Sequence, residues 1–187
     1  HAEVINTITK QTKIYPIHTL DINRVSLSSN GNLAYTGASD KYSKLWNTSS
    51  GEMISEYKHR SRVNHVDINA DGNVGLAVDA INQRYIFDLS LKSQSDDSKI
   101  VDLDTSIKFI EFNDSSFFND KKQLLTASPN RKIKLWNSET GELLQEWISH
   151  KDENKKRASV LAVGFYNDKI NAITNDGVYE EFEIDTK

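Results

Sequence analysis

A large apolar side chain returns along this chain at Ile5, Trp46, Phe87, Trp136 and Phe182, at intervals of 41, 41, 49 and 46 residues. The same local pattern returns around each. A period of about 40–45 residues means that one supersecondary unit is built several times, and that stacked units bury what a single unit leaves exposed. No other feature of the sequence restricts the fold as much.

The clearest unit runs from His18 to Tyr57. Ile22, Val25 and Leu27 predict a short strand. Ser28-Ser29-Asn30-Gly31-Asn32 predicts a tight turn, since Asn-Gly supplies positive φ cheaply. Leu33–Gly37 and Tyr42–Trp46 predict a second and a third strand, with Ser39-Asp40 turning between them. Thr48-Ser49-Ser50-Gly51 leads into a fourth, Met53–Tyr57. Four short strands with turn residues between them make an up-and-down sheet. Leu135-Trp136-Asn137 repeats Leu45-Trp46-Asn47, Asn69-Ala70-Asp71-Gly72-Asn73 repeats the first turn, and Ser138–Trp147 repeats the last part of the unit. No stretch shows sustained helical periodicity with capping signals. The fold class is all-β.

These residues resemble the WD-repeat (WD40) β-propeller family. There a Trp-Asp pair ends the third strand of each blade and a Gly-His pair precedes the first. The Trp-Asp position reads Ile5-Asn6, Trp46-Asn47, Phe87-Asp88, Trp136-Asn137 and Phe182-Glu183 here. The Gly-His position reads Ile17-His18, Lys58-His59 and Ser149-His150, with intervals of 13, 13 and 14 residues from the aromatic position to the His. The resemblance implies a structural hydrogen-bond chain through His18, Thr36, Asp40 and Trp46. It implies incomplete chains elsewhere. Ile81 and Asn130 replace the Asp in the second and third blades, and Phe182 replaces the Trp in the fourth, which keeps Asp176 and His150.

The expected architecture is a β-propeller of four-stranded antiparallel blades, about four of them in this chain. Val4–Ile17 reads as the end of one blade, 18–57, 58–103 and 104–148 as full blades, and 149–187 as most of a further one, with no domain boundary. Propellers close with about 4–8 blades. The resemblance, in a family whose members usually have seven, makes the chain part of a larger ring. A small closed ring stays open as the second arrangement, with Ile14-Tyr15-Pro16-Ile17 completing the sheet of Val160–Phe165, Ile170–Thr174 and Val178–Ile184.

Composition narrows the function classes. The net charge of −4 gives the whole chain no attraction to nucleic acid. With no cysteine there is no disulfide and no thiolate metal site, which fits a reducing compartment. No apolar run reaches the roughly 18 residues of a membrane span, and no signal peptide is read at the start. The expected localisation is intracellular, in cytoplasm or nucleus. Ser93–Ser98 reads as a loop between third and fourth strands, and the Asn47-Thr48-Ser49 and Asn113-Asp114-Ser115 glycosylation patterns read as turns.

No His-Glu-x-x-His motif, phosphate loop or nucleophile elbow is present. The three repeat histidines fall in different blades, so they do not form one site. The expectation is no enzyme activity, no cofactor, no metal and no small-molecule substrate. Charge is the more informative signal. Arg60 and Arg62 (in Lys58-His59-Arg60-Ser61-Arg62) lie in a connection between blades, and Lys155, Lys156 and Arg157 lie in a later one of the same kind. Arg131 and Lys132 follow a second strand. In a propeller these connections share one face, where they would meet an acidic or phosphorylated partner. Phe117 and Phe118, in what reads as a long loop from Ser115 to Lys122, are candidate hydrophobic anchors. Tyr15, Tyr35, Tyr42 and Tyr85 read as packing residues on strands. The expected function is a scaffold for protein–protein interaction in a multiprotein complex. The resemblance extends this to ribosome biogenesis, RNA processing, chromatin complexes or ubiquitin-ligase adaptors. Direct RNA contact is the alternative.

Overall fold

The computed structural model describes residues 1–81, 83–89, 101–102, 114–118, 122–150 and 159–185. Among the described residues there are strands and turns and no helix. The chain divides into two compact units, His1–Asp102 and Leu103–Lys187.

The first unit holds three antiparallel sheets. The smallest is a hairpin of β1 (Ala2–Ile5) and β2 (Thr12–Tyr15). Next, in sequence order across the sheet, come β3 (Ile22–Leu27), β4 (Leu33–Ala38), β5 (Tyr42–Asn47) and β6 (Met53–Lys58). The third sheet repeats that order with β7 (Val63–Ile68), β8 (Val74–Asp79), β9 (Arg84–Asp88) and β10 (Val101–Asp102). The second unit holds β11 (Asp114–Phe118), β12 (Gln123–Ala127), β13 (Lys132–Asn137) and β14 (Leu143–Ile148), then a three-stranded sheet of β15 (Val160–Tyr166), β16 (Lys169–Thr174) and β17 (Tyr179–Glu183).

Strand β2 is hydrogen-bonded to β1 in the register Ala2↔Tyr15 to Ile5↔Thr12. One expectation needs correction. The segment holding Phe117 and Phe118 is not a loop. It is strand β11, paired with β12 from Asp114↔Ala127 to Phe118↔Gln123. Ser93–Ser98 and Asn113 lie outside the described residues.

The turns explain why the Trp-Asn pairs recur. Asn47 accepts the backbone N–H of Ser49 and Ser50 through its side chain, and Gly51 follows at φ 75°. Asn137 does the same for Glu139 and Thr140, with Gly141 at φ 74°. An Asx turn closed by a left-handed glycine therefore re-aims each chain from third to fourth strand. Gly51 serves a second purpose, since a Cβ there would lie 2.2 Å from the ring of Tyr15.

Sheets stack face to face within each unit. In the first, β3 and β4 pack on β7, with a core of Tyr35, Leu45, Tyr57, Val63, Val66 and Phe87. At Gly37 the approach is so close that a Cβ would meet Val63 at 2.5 Å. In the second, β11 and β12 pack on β15 around Leu125, Ile133, Leu135, Val160 and Ile170. Stacking decides burial. Val66 and Ile68 on β7 are 1% and 6% exposed, whereas Val25 and Leu27, the same repeat positions on β3, are 53% and 56% exposed.

Candidate interaction surface

Each sheet ends in a cluster of polar groups, and the clusters determine which side chains remain for a partner. In the sheet of β3–β6 the structure brings His18, Thr36, Asp40 and Trp46 together. Trp46 Nε1 donates to Thr36 Oγ1 at 3.2 Å, and Thr36 Oγ1 lies 2.9 Å from His18 Nε2. His18 Nδ1 lies 2.9 Å from Asp40. Burial is the main cause that holds the imidazole pKa below its usual value, against the pull of Asp40. The neutral ring then donates from Nδ1 to Asp40 and accepts the Thr36 hydroxyl at Nε2, which gives the chain one direction from Trp46 to Asp40. Burial pushes Asp40 upward, but bonds from His18, Thr19 and Tyr42 outweigh it and leave the carboxyl below the usual range.

The next sheet lacks these partners, since Ala77 and Phe87 stand where Thr36 and Trp46 do. His59 turns instead to the preceding sheet. Tyr35 donates to Ser43 at 2.9 Å and Ser43 lies 2.8 Å from His59 Nε2, while the imidazole meets Phe87 edge-on at 5.7 Å. Burial holds His59 down to about 4 and pushes the Tyr35 phenol up. This link was not expected from the repeat, which supplies the His but not its partner. In the second unit Trp136 donates to Thr126 at 2.9 Å. His150 joins the last sheet, with Nε2 2.8 Å from Asp176 and Nδ1 3.3 Å from Glu180.

The turns at one end of the first unit's sheets are stitched together by backbone bonds. Ser39 N–H donates to Asp21 O, His59 N–H to Lys41 O, and Ala80 N–H to Arg62 O, at 2.8–2.9 Å. This rim carries Lys41, Lys58, Arg60 and Arg62, all exposed. Arg60 and Arg62 were expected here, and Lys41 was not. Asp40 faces His18, and Asp79 caps the N–H groups of Ile81 and Gln83 at 3.0 Å, so both carboxylates point into the turns. The opposite end carries Glu52 and Asp71, and there Lys13 is tied to Ser49 O at 2.8 Å.

The remaining expected contacts fare differently. Arg131 and Lys132 are employed internally: Arg131 Nη1 donates to Ser149 O at 2.9 Å, and Lys132 Nζ pairs with Glu146 at 2.7 Å. Phe118 stacks on Phe165 at 4.6 Å, and Phe117 is half-buried on the same strand. Neither is an exposed anchor, because β11 packs on β15. Lys155, Lys156 and Arg157 lie outside the described residues. The strand tyrosines pack: Tyr15 sits edge-on against Trp46 at 5.7 Å and Tyr35 is fully buried. Among the described residues no three His, Cys, Asp or Glu side chains are arranged to hold a metal ion, and no helix is long and apolar enough to cross a membrane.

Residues 9–47 match the WD40 family, described as "WD domain, G-beta repeat". No curated protein matches the sequence. Among solved structures the chain is similar to the computationally designed Ika4 protein, with a TM-score of 0.68 and 18% identity, over 90% of this chain and 94% of that one. It is also similar to the β-propeller domain of Cps50 (Swd1) from Myceliophteria thermophila, with a TM-score of 0.75 and 12% identity. That match covers 97% of this chain and 58% of the other. At these identities the likeness is one of fold.

Proposed function

We propose that this chain, a β-propeller of the WD40 type, is a non-catalytic scaffold that presents a rigid loop rim to other proteins in an intracellular complex, in cytoplasm or nucleus. One observation carries the reading. The rim turns of the first unit are cross-bonded by backbone groups, so exposed cations stand on a pre-organised frame. Turns already fixed lose little entropy when a partner docks. Arg60 and Arg62 are the contacts named by both sequence and position. Ribosome biogenesis or RNA processing is the finer setting we attach to it, on the family resemblance. The second reading, direct RNA contact within a ribonucleoprotein, uses the same exposed cations.

The test is affinity capture of the intact protein, with and without nuclease, beside Arg60→Glu/Arg62→Glu. Nuclease-resistant partners lost in the variant are the expected result. Loss with nuclease would transfer the assignment to RNA. Partners unaffected by either treatment would remove the rim from the interaction.

A further inference from the structure

We infer that the cationic rim of the first unit, widened by Lys41 and Lys58, is a docking surface for an acidic protein segment. The inference rests on the scaffold reading above and names the partner chemistry. Three observations carry it.

The first is pairing. Lys44, Lys122, Lys132, Lys134 and Lys169 each lie within 4 Å of a glutamate carboxylate. Among the described residues the side chains of Lys41, Lys58, Arg60 and Arg62 have no such partner and no hydrogen bond. The second is position. The bond from His59 N–H to Lys41 O sets the turn carrying Lys41 directly beside the connection carrying Lys58, Arg60 and Arg62. The nearby carboxylates of Asp40 and Asp79 are turned inward, and among the described residues Asp21 alone stays exposed on the rim. Positive charge therefore gathers locally on a chain of net charge −4.

The third is strain. Lys41 sits at φ 72°, a left-handed conformation that disfavours any residue with a Cβ. The same turn uses Gly177 at φ 82° before β17 and Arg131 at φ 72° before β13, where the guanidinium is bonded to Ser149 O. Glycine meets this backbone demand with less strain, so Lys41, whose side chain has no such bond, keeps a free charge on the rim at some cost in stability.

The charge chooses an acidic ligand, and the surroundings choose protein over RNA. Binding of single-stranded nucleic acid relies on exposed aromatic faces for base stacking. Among the described residues of this unit Tyr35, Trp46, Tyr57 and Phe87 are buried, and Tyr15, Tyr42 and Tyr85 are half-buried, so none offers a fully exposed face. An acidic peptide needs only the carboxylate-to-cation contacts that the four side chains offer.

The experiment measures binding of the full chain to a short fluorescein-labelled Glu/Asp peptide by anisotropy, with a labelled oligouridine in parallel. Peptide binding that weakens roughly tenfold or more in Lys41→Glu/Arg60→Glu/Arg62→Glu, and with added salt, is the expected result. Lys41→Gly is the second variant. It should unfold at a higher temperature than the parent yet bind the peptide less tightly, which separates lost charge from lost fold. No peptide binding at low salt, binding that survives the triple reversal, tighter binding of the oligouridine, or Lys41→Gly binding as well as the parent would each overturn the inference. If affinity capture still shows partners that depend on Arg60 and Arg62 while the peptide fails, the acidic chemistry alone falls and the scaffold reading stands.

Discussion

His18 and His150 occupy the same repeat position, each next to an Asp, and they carry opposite charge habits. His18 is buried, its ring accepts the Thr36 hydroxyl, and its pKa lies below the usual value. His150 is partly open, both ring nitrogens face carboxylates, and its pKa lies above the usual value, first through the bond to Asp176. Burial is the main cause on His18, and two substitutions at equivalent positions add to the difference. Phe182 has no N–H to continue the chain that Trp46 begins. Two residues before the aromatic, Lys44 opposes a charge on His18, whereas Glu180 invites one on His150. The repeat thus fixes where the imidazole sits, and burial together with the side chains facing it decides the proton.

The largest expected effect comes from acid acting on the first unit. Burial holds His59 down to about 4 and His65 down to about 3, the latter helped by Arg24, against an ordinary 6.5. Both stay neutral when folded, while the unfolded chain takes up protons from about pH 6.5 downward. Stability is therefore complete above about pH 6.5 and falls as the pH drops toward the folded values. For His59 the loss is on the order of 3 kcal/mol once protonation is complete. Hydrogen exchange read peptide by peptide between about pH 7 and pH 4 should show β5, β7 and β9 opening in acid. His59→Phe should flatten that dependence, and an unchanged slope would show that His59 is not the titrating group.

A smaller loss should follow removal of the indole N–H. Trp46→Phe keeps the ring but deletes the donor to Thr36, and Trp136→Phe deletes the donor to Thr126. Each should cost about 1–3 kcal/mol in urea unfolding, the price of a buried hydroxyl left short of a partner. Trp46→Phe should cost more, because Thr36 also orients His18 and through it Asp40. Equal losses would mean that the four-residue chain adds nothing beyond its first bond.

What could be read in advance, and what could not, follows the same division between position and partner. Strands β3 to β6 were legible because each apolar run is bounded by a turn with a distinct mechanism, Asn30-Gly31 or Asn47 with Gly51. Strand β11 was not. Ser115 and Ser116 have turn composition, and pairing with Thr126 and Leu125 overrides it. Arg131 looked like a free charge because nothing in its neighbourhood in sequence announces the Ser149 carbonyl that it binds. The Tyr35–Ser43–His59 link escaped because it joins two strands of one sheet to the connection that follows that sheet. Glu180 carried a usable signal, since it is acidic where Lys44 and Lys134 precede the two tryptophans.

Glu180 also provides the mildest and sharpest test of the comparison. With its folded pKa raised above 6.5, His150 contributes stability that is fully present below that pH and lost as the pH rises through the folded value. The side chain is partly exposed, so solvent screening keeps the effect on unfolding small. NMR titration of the imidazole reads it directly. His150 should titrate above 6.5 in the parent chain, and Glu180→Lys, which copies Lys44, should pull it down. Lys44→Glu should move His18 upward in turn, although burial still opposes its charge. A position that moves one histidine and not the other would show that burial, rather than the facing side chain, separates the two.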